Sequence, residues 1–296
     1  MNQRHEPSVL DRLVGWSENQ EPVRLAFLTS TRANDSMRTD ILSDYDVELV
    51  VSDLAPYIES KAWLSDFGDL LVFVGEKRLE DGLPRHIYMA IYEDGTKIDF
   101  QVYPTTLFRR YKEAPALPGR LDVGYRILLD KDGLANGLAP FTNTAHIPAR
   151  PAEQEYLPLA QEFWWETTYV AKNLWRDELM FARYNLDVVI KFDLLRRMLE
   201  WYLELDHHWA LRPGIYGKGL KKLVAPEIWS ELEATFVGPR SEDNWEALFK
   251  TTALFRKIAV RVAEELGYDY PAELDERVTN YLQKVQRLDK DAEKFA

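Results

Sequence analysis

The chain has 296 residues, enough for two ordinary domains, and its 46% hydrophobic and 12% aromatic content excludes a disordered or fibrous protein. It contains no cysteine, which excludes disulfides, thiolate catalysis and cysteine-ligated metal sites. The formal charge of −12, from 49 acidic and 37 basic residues, opposes a large nucleic-acid interface. It either favours a cationic small-molecule substrate or only keeps an acidic protein soluble, and charge alone does not decide between the two.

The hydropathy pattern does not predict a membrane protein. No stretch approaches the roughly 18 consecutive apolar residues that a membrane-spanning helix needs. The first thirty residues are interrupted by acidic side chains and lack the charged-then-apolar layout of a signal peptide. Together with the absence of cysteine, these features favour a cytoplasmic protein with no membrane or nucleic-acid partner. They leave the oligomeric state undetermined.

The first half of the chain has the pattern of a mixed α/β domain. Apolar residues at helical spacing predict a helix over 9–16, and a second helix is predicted over 54–67. Short apolar runs, several of them rich in β-branched residues, predict strands over 23–28, 44–51 and 70–74. The last of these strands is expected to be buried.

A β-hairpin is predicted next along the chain. Residues 87–92 and 97–103 form two strand-like runs, and Asp94-Gly95 lies between them. Asp-Gly between such runs is a strong local hairpin signal, because glycine adopts the backbone angles that tight turns need. The hairpin places Asp99 in a strand with apolar neighbours.

Glycine and proline interrupt the chain between about 130 and 158, and we place a domain boundary near residue 150. Beyond it, apolar residues recur at three- and four-residue steps, which is typical of helices. These helices are predicted over 153–177, 184–205, 226–236, 241–267 and 271–290. We therefore expect an α/β (α+β) protein, with a mixed-sheet domain over residues 1–150 and a helical bundle over 151–296.

Three aspartates are the strongest candidates for chemistry. Side chains two apart on a strand point to the same face, so Asp44 and Asp46 project together at the entrance of the strand over 44–51. If the strand that carries Asp99 is adjacent, three carboxylates converge. Buried like charges are unfavourable unless a cation neutralises them, and oxygen ligands suit Mg²⁺. Taken alone, Asp-x-Asp at a strand entrance is more often a turn or a cap.

The segment before this pair is suited to binding phosphate. The strand over 23–28 leads into Thr29-Ser30-Thr31-Arg32-Ala33-Asn34, a turn whose backbone N–H groups and hydroxyls can meet phosphate oxygens. This combination of a turn, a strand with two aspartates and a third aspartate resembles the nucleotidyltransferase superfamily that includes the polymerase-β-like enzymes.

The spacing within this segment carries a more specific resemblance. The run Ser30-Thr31-Arg32-Ala33-Asn34, with Asp44-Tyr45-Asp46 beginning ten residues after Asn34, resembles the aminoglycoside 6-adenylyltransferase (streptomycin adenylyltransferase) family. That family has Gly-Ser-Arg-Thr-Asn, followed at the same distance by Asp-Tyr-Asp. The resemblance covers about residues 8–267. Its further matches are Trp63-Leu64, Phe67-Gly68, Lys97-Ile98-Asp99, Phe163-Trp164, Tyr169-Val170-Ala171-Lys172-Asn173-Leu174, Leu194-Leu195-Arg196, Gly217-Lys218, Trp245-Glu246-Ala247-Leu248-Phe249 and Leu254-Phe255-Arg256.

The resemblance implies an enzyme with a nucleotidyltransferase fold in its first domain and a second domain that binds substrate and nucleotide. It implies adenylyl transfer from ATP to a hydroxyl of a streptomycin-like aminoglycoside, a cationic acceptor, with release of pyrophosphate and resistance to the antibiotic. Asp44 and Asp46 would hold Mg²⁺ and the phosphates. Asp99 would act as a general base or as a ligand of a second ion.

The resemblance also implies which residues contact the nucleotide. Ser30, Thr31 and Arg32 would meet the phosphates from the first domain, and Lys172 would reach them from the second. One departure concerns Ser30, where the family has glycine. Because a side chain restricts the backbone and the close approach of phosphate, either weaker nucleotide binding than with glycine or an altered activity is expected.

Other candidates lie in the helical half. Trp165, Tyr169, Lys172 and Arg176 share one helix face by their spacing, and we expect Tyr169 to line the substrate site and Arg176 to be structural. Lys218 lies in a glycine-rich segment without the Gly-Lys-Ser/Thr ending of a P-loop, so it is either a second phosphate contact or a solvated lysine.

Acidic and aromatic side chains of the helical half could receive a cationic sugar. The candidates are Glu166, Asp206 and Trp209, and each also has a structural interpretation. The adjacent His207 and His208 would diverge by about 100° on a helix, so we expect no metal shared between them.

Two alternatives to aminoglycoside adenylylation stay open at the level of the sequence. The first keeps the chemistry and changes the acceptor to another antibiotic, a metabolite or a protein. The second is a non-catalytic nucleotide-binding protein, suggested by Ser30 in place of the family's glycine.

Overall fold

The computed structural model of the protein describes residues 6–295. These residues form two compact units that divide between Ala145 and His146. The first unit contains the sheet and the second is helical, which confirms the predicted α/β class with a mixed sheet and a C-terminal helical part. None of the helices in the described part of the chain is long and apolar enough to span a bilayer.

One mixed sheet organises the first unit. Its strands are β1 Val23–Thr29, β2 Tyr45–Val51, β3 Leu70–Glu80, β4 Leu83–Tyr92, β5 Lys97–Pro104 and β6 Tyr125–Asp130. They are ordered β3-β4-β5-β2-β1-β6 across the sheet. The pair β2 and β5 is parallel, and the other neighbours are antiparallel. The predicted hairpin is confirmed as β4 and β5.

Alternation along the strands gives the sheet two different faces. One face carries apolar residues such as Val47 and Phe100 and packs on α1, Glu6–Asn19, and the 3₁₀ turn Ala62–Phe67. The opposite face carries Phe27 and other apolar side chains that pack on α3, Thr105–Glu113. Asp46 and Asp99 project from this second face, near the beginnings of β2 and β5. Their position at the strand entrances follows from the parallel register of these two strands.

Two short helices complete the first unit, and one of them corrects a prediction. The expected helix over 54–67 is broken: α2 spans Ala55–Glu59, and the 3₁₀ turn Ala62–Phe67 follows after Ser60 adopts an extended backbone. The break turns Trp63 and Phe67 into the core of the first unit, where both rings contact Phe100. Helix α4, Gly119–Asp122, precedes β6.

Strand β3 differs from its prediction in length and burial. The expected strand over 70–74 extends to Glu80, and its residues are largely exposed rather than buried. The reason is its place in the sheet, because β3 is an edge strand paired only with β4. A short apolar run does not distinguish an edge strand from a central one.

The second unit consists of helices that follow the predicted order. They are α5 Glu153–Trp175, α6 Leu179–Arg183, a π-helix Tyr184–Leu195, α7 Arg196–Leu205, α8 Leu220–Leu223, α9 Pro226–Glu233, α10 Ser241–Leu266 and α11 Ala272–Arg287. The predicted helix over 184–205 therefore begins earlier and changes its winding at Tyr184 and Arg196.

The core of the second unit is aromatic and aliphatic. Trp164 and Phe163 of α5 are fully buried, and Phe163 stacks on Phe255 of α10 with ring centroids 3.5 Å apart. Tyr156 of the same helix donates a hydrogen bond to the Ala259 carbonyl. These contacts hold α5 against α10, and they account for the three- and four-residue apolar spacing of both helices.

Candidate active site

The parallel pairing of β2 and β5 brings two of the predicted aspartates side by side. Asp46 is the register partner of Asp99, and Tyr45 is the partner of Ile98. Asp44 precedes β2 by one residue and lies next to Lys97 of β5, with which it forms an ion pair. The two strands are therefore adjacent. The three carboxylates could converge only if these strands were neighbours.

A lysine that the sequence prediction did not single out lies among these aspartates. Lys97 Nζ donates hydrogen bonds to Asp44 Oδ2 at 2.5 Å and to Asp99 Oδ2 at 2.8 Å. The side chains of Lys97, Asp44 and Asp99 are 29%, 38% and 15% exposed. The sequence did contain a signal for Lys97: it lies two residues before Asp99, and residues two apart on a strand share a face.

Burial and like charge shift the ionisation of this cluster. Burial, followed by the neighbouring charges of Asp99 and Asp44, raises the pKa of Asp46 to about 7. Burial also raises the pKa of Asp99, against the opposing effect of Lys97. Burial lowers the pKa of Lys97, but its hydrogen bonds to Asp44 and Asp99 outweigh that effect and leave the pKa above its usual value.

The donor set of this cluster fits a magnesium ion. All three carboxylates offer oxygen ligands, which Mg²⁺ prefers. Asp99 Oδ1 is buried and has no hydrogen-bond partner within residues 6–295. In the arrangement described, no group of three or more acidic or histidine side chains in that range surrounds one point as closely as a metal requires. The roles of Asp44, Asp46 and Asp99 as metal ligands stay a prediction.

The turn after β1 has an unusual backbone at its first residue. Ser30 adopts a φ of +62°, in the left-handed region, at the start of the 3₁₀ turn Ser30–Ala33. Its N–H donates to the Gly124 carbonyl at 3.0 Å. Glycine adopts this conformation without strain, whereas serine does not. The geometry thus gives a physical reason for the glycine that the resembling family has at this position.

Asn34 and Arg32 hold the loop that leads to Asp44. The buried Asn34 donates to the Val123 carbonyl, and its Oδ1 accepts from the N–H and hydroxyl of Ser36. The Arg32 guanidinium donates to the carbonyls of Ser43 and Asp44 and lies 4.0 Å above the Tyr45 ring. Arg32 therefore fixes the backbone at the entrance of β2. Thr31 is half-buried in the same turn.

A buried charge network adjoins the aspartates on the same sheet face. Glu48, two residues after Asp46, is fully buried, and Arg120 Nε donates to its Oε1 at 3.0 Å. Arg120 also donates to Glu80 and to the Tyr111 hydroxyl. Burial raises the pKa of Glu48, and the charge of Arg120 opposes the rise. Sequence reasoning missed this network because its members lie far apart along the chain.

The network borders an open cavity beside Asp99. The cavity has a volume of about 450 Å³ and extends across β5, β4 and β3. Its lining is mainly polar and comprises Glu76, Arg78, Arg85, Ile87, Met89, Asp99, Gln101 and Arg120. A polar substrate group next to Asp99 would therefore find both charged and amide side chains.

In the second unit, three predicted site residues lie within two turns of α5: Glu166, Tyr169 and Lys172. Lys172 Nζ lies 4.3 Å from the centre of the Tyr169 ring, and Tyr169 contacts the largely exposed Trp165 edge to face. Glu166 accepts a hydrogen bond from Asn185 of the π-helix, and burial raises its pKa. Arg176 caps the end of α5 and is exposed.

The remaining predicted residues lie in the segment after α7. Trp209 is half-buried against the helical core, and its φ is +58°. Asp206 accepts two hydrogen bonds from Arg261, which favours the structural interpretation of Asp206. Lys218 is exposed in a turn where the Gly219 N–H donates to the Pro213 carbonyl. Within residues 6–295, no hydrogen bond, ion pair or ring contact joins Trp209 or Lys218 to Glu166, Tyr169 or Lys172 of α5.

Comparisons with known proteins find aminoglycoside 6-adenylyltransferases that are similar to nearly the whole chain. An aminoglycoside 6-adenylyltransferase of Bacillus subtilis (strain 168) is 30% identical over 286 residues, which are 95% of this chain and 98% of that protein. An aminoglycoside 6-adenylyltransferase of Campylobacter jejuni is 28% identical over 94% of this chain and 95% of its own length. The crystal structure of an aminoglycoside 6-adenyltransferase from Bacillus subtilis is 27% identical, covers 96% of this chain and all of its own, and superposes with a TM-score of 0.48.

The family comparison extends over nearly the whole chain. The sequence profile of the family described as streptomycin adenylyltransferase matches residues 3–285. This range includes the turn at Ser30, the aspartates of β2 and β5, and the helical residues of α5. The chain therefore belongs to the streptomycin adenylyltransferase family and is a nucleotidyltransferase.

Proposed function

We propose that this enzyme transfers the adenylyl group of ATP to a hydroxyl of a streptomycin-like aminoglycoside, and thereby confers resistance to that antibiotic. The observation that carries the proposal is the pairing of Asp46 with Asp99 across β2 and β5, with Asp44 beside them. Membership of the family, and two relatives named as aminoglycoside 6-adenylyltransferases, support the choice of acceptor.

In the proposed reaction, the acceptor hydroxyl attacks the α-phosphorus of ATP. The bond between that phosphorus and the oxygen bridging to the β-phosphate breaks, and pyrophosphate leaves. Asp44, Asp46 and Asp99 are the side chains that would hold Mg²⁺, which neutralises charge on the triphosphate when bound. In the alternative role, Asp99 would act as the general base that accepts the proton of the attacking hydroxyl.

The turn after β1 is the proposed phosphate site of the first unit. Ser30 and Thr31 offer their hydroxyl groups as donors, and Arg32 keeps the following loop in place through its bonds to Ser43 and Asp44. The first unit is thus the proposed catalytic domain.

The helical unit is the proposed binding domain for nucleotide and acceptor. Lys172 and Lys218 supply positive charge for phosphates, whereas Glu166, Tyr169 and Trp209 suit a cationic sugar. An acceptor of this class also matches the net charge of −12, because an acidic protein attracts cations.

The direct test is the release of pyrophosphate from ATP with Mg²⁺ and streptomycin. Release should stop with EDTA and resume with added Mg²⁺. Asp99→Asn should lower the rate at least about 100-fold while circular dichroism shows an unchanged fold. Asp11→Asn, at an exposed aspartate of α1, is the matched control and should retain the wild-type rate. A folded wild-type protein that releases no pyrophosphate at saturating ATP would overturn the streptomycin assignment.

A different acceptor, or no acceptor, is distinguished by labelled ATP. Only the true acceptor in a panel of aminoglycosides, metabolites and proteins becomes labelled. The non-catalytic alternative is motivated by the strained Ser30, and it predicts nucleotide binding without label transfer to any acceptor.

A further inference from the structure

We propose that Lys97 takes the place of a second metal ion, so that the catalytic site binds one divalent cation per chain. The proposal rests on the proposed function, since it concerns the same carboxylates. It assigns Lys97 a role in positioning and neutralising Asp44 and Asp99.

The ammonium group of Lys97 lies between two of the carboxylates. Asp46 and Asp99 are register partners across β2 and β5, and Lys97 bridges the outer ends of the same strands through Asp44 and Asp99. A site for two ions needs carboxylate oxygens that both ions can share at a separation of about 4 Å. The ammonium of Lys97 already uses one oxygen of Asp44 and one of Asp99.

The carboxylate oxygens that Lys97 does not use can hold one metal ion. Asp99 Oδ1 is buried and lacks a hydrogen-bond partner within residues 6–295, and it belongs to the residue paired with Asp46. This oxygen and the carboxylate of Asp46 suffice for one ion, because Mg²⁺ takes its remaining ligands from water and phosphate. When all three carboxylates are ionised and Lys97 is protonated, the cluster carries a net charge of −2, which one divalent ion neutralises.

The experiment counts bound Mn²⁺ on the full chain by electron paramagnetic resonance and calorimetry. The count is made with and without the non-hydrolysable analogue α,β-methylene-ATP. We expect one Mn²⁺ per wild-type chain in the ternary complex. For Lys97→Met we expect a second Mn²⁺, and in the nucleotide-free protein at least about tenfold tighter binding of the first, because a competing positive charge is gone. Lys97→Arg keeps the charge and should stay at one ion.

Lys77→Met, at an exposed lysine of β3, is the matched control and should bind one ion with wild-type affinity. Two ions on the wild-type chain would overturn the proposal, as would a Lys97→Met protein with an unchanged count and affinity. If Lys97→Met does not fold, the counts for the wild type and Lys97→Arg decide: one ion on each supports the proposal, and two on either overturns it. No Mn²⁺ on the wild type with the analogue would instead overturn the metal-dependent function itself.

Discussion

At the scale of single residues, Ser30 shows how one side chain can limit a phosphate site. Its φ of +62° lies where a non-glycine residue is strained by about 1 kcal/mol. The backbone N–H of Ser30 is held by the Gly124 carbonyl, so the turn keeps this conformation despite the strain. The side chain therefore adds bulk where the family's glycine would leave the backbone open.

Ser30→Gly should bind nucleotide several-fold more tightly than the wild type. Glycine removes the strain and lets phosphate approach the backbone, while the free energy of unfolding should rise by no more than about 1 kcal/mol. Titration with α,β-methylene-ATP and urea denaturation measure the two effects. Ser65→Gly, at an exposed serine of the Ala62–Phe67 turn, is the matched control and should leave the affinity for the nucleotide unchanged. Weaker binding by Ser30→Gly would mean that the hydroxyl itself is a ligand.

At the scale of secondary-structure elements, the buried network around Arg120 ties α4 to β2 and β3. Arg120 supplies the charge opposite Glu48, which is fully buried, and opposite Glu80. Removal of one partner leaves an uncompensated buried charge, which is far more destabilising than loss of the whole pair. The network therefore supports the strand that carries Asp46.

Arg120→Met should lower the free energy of unfolding by about 3–5 kcal/mol. In the double variant with Glu48→Gln, the loss should fall short of the sum of the single losses by about 1–3 kcal/mol, because no unpaired carboxylate remains at Glu48. Urea denaturation of the four proteins gives the cycle. Arg109→Met, at an exposed arginine of α3, should change stability by less than about 0.5 kcal/mol. Additive losses would contradict a coupled pair.

Asp122, the last residue of α4, binds the backbone of residues 142–145, which end the first unit. Its carboxylate accepts hydrogen bonds from the N–H groups of Thr142, Thr144 and Ala145 and from the Thr142 hydroxyl. Burial raises the pKa of Asp122, but these hydrogen bonds outweigh burial and lower it to about 2.

Stability contributed by Asp122 should therefore depend on pH in a defined direction. The folded pKa of about 2 lies below the unfolded value of about 3.9, so the stabilisation is complete above about pH 4 and decreases as pH falls towards 2. Asp122→Asn should lose about 2 kcal/mol at pH 7, and the difference from wild type should shrink below pH 4. Denaturation curves between pH 7 and pH 3 measure this. A difference that stays constant over that range would show that the loss does not come from ionisation.

At the scale of the whole molecule, each of the two units has its own buried core. Phe27 and Phe100 lie in the cores of the sheet unit, and Phe163 and Phe255 lie in the core of the helical unit. Separate cores allow separate cooperative unfolding, because each unit buries apolar surface independently.

Calorimetry should resolve two unfolding transitions. Phe255→Ala removes a ring that stacks on Phe163 and should cost about 3–5 kcal/mol, which lowers the midpoint of one transition only. Phe27→Ala, the matched change in the sheet unit, should lower the other transition. A single transition that both variants shift equally would show that the two units unfold as one.

Local patterns in the sequence were sufficient for most elements and for naming the three aspartates as candidates. The Asp-Gly turn predicted the β4–β5 hairpin, and apolar spacing predicted the long helices α5 and α10, because these signals depend on neighbours a few residues apart. The motif at Ser30 and its distance to Asp44 were enough to suggest the family. The break in the helix over 54–67 and the exposure of β3 were missed because both depend on the surrounding sheet.

Only the tertiary structure decided how the site is assembled. The adjacency of β2 and β5 joins segments about fifty residues apart, and no local pattern sets that pairing. The same pairing places Lys97 between Asp44 and Asp99, and the fold brings Arg120 to Glu48. The sequence by itself determined which side chains are available for the site and which family the chain belongs to. The long-range packing determined which charges meet, because the energies of buried charges depend on distance and burial rather than on order along the chain.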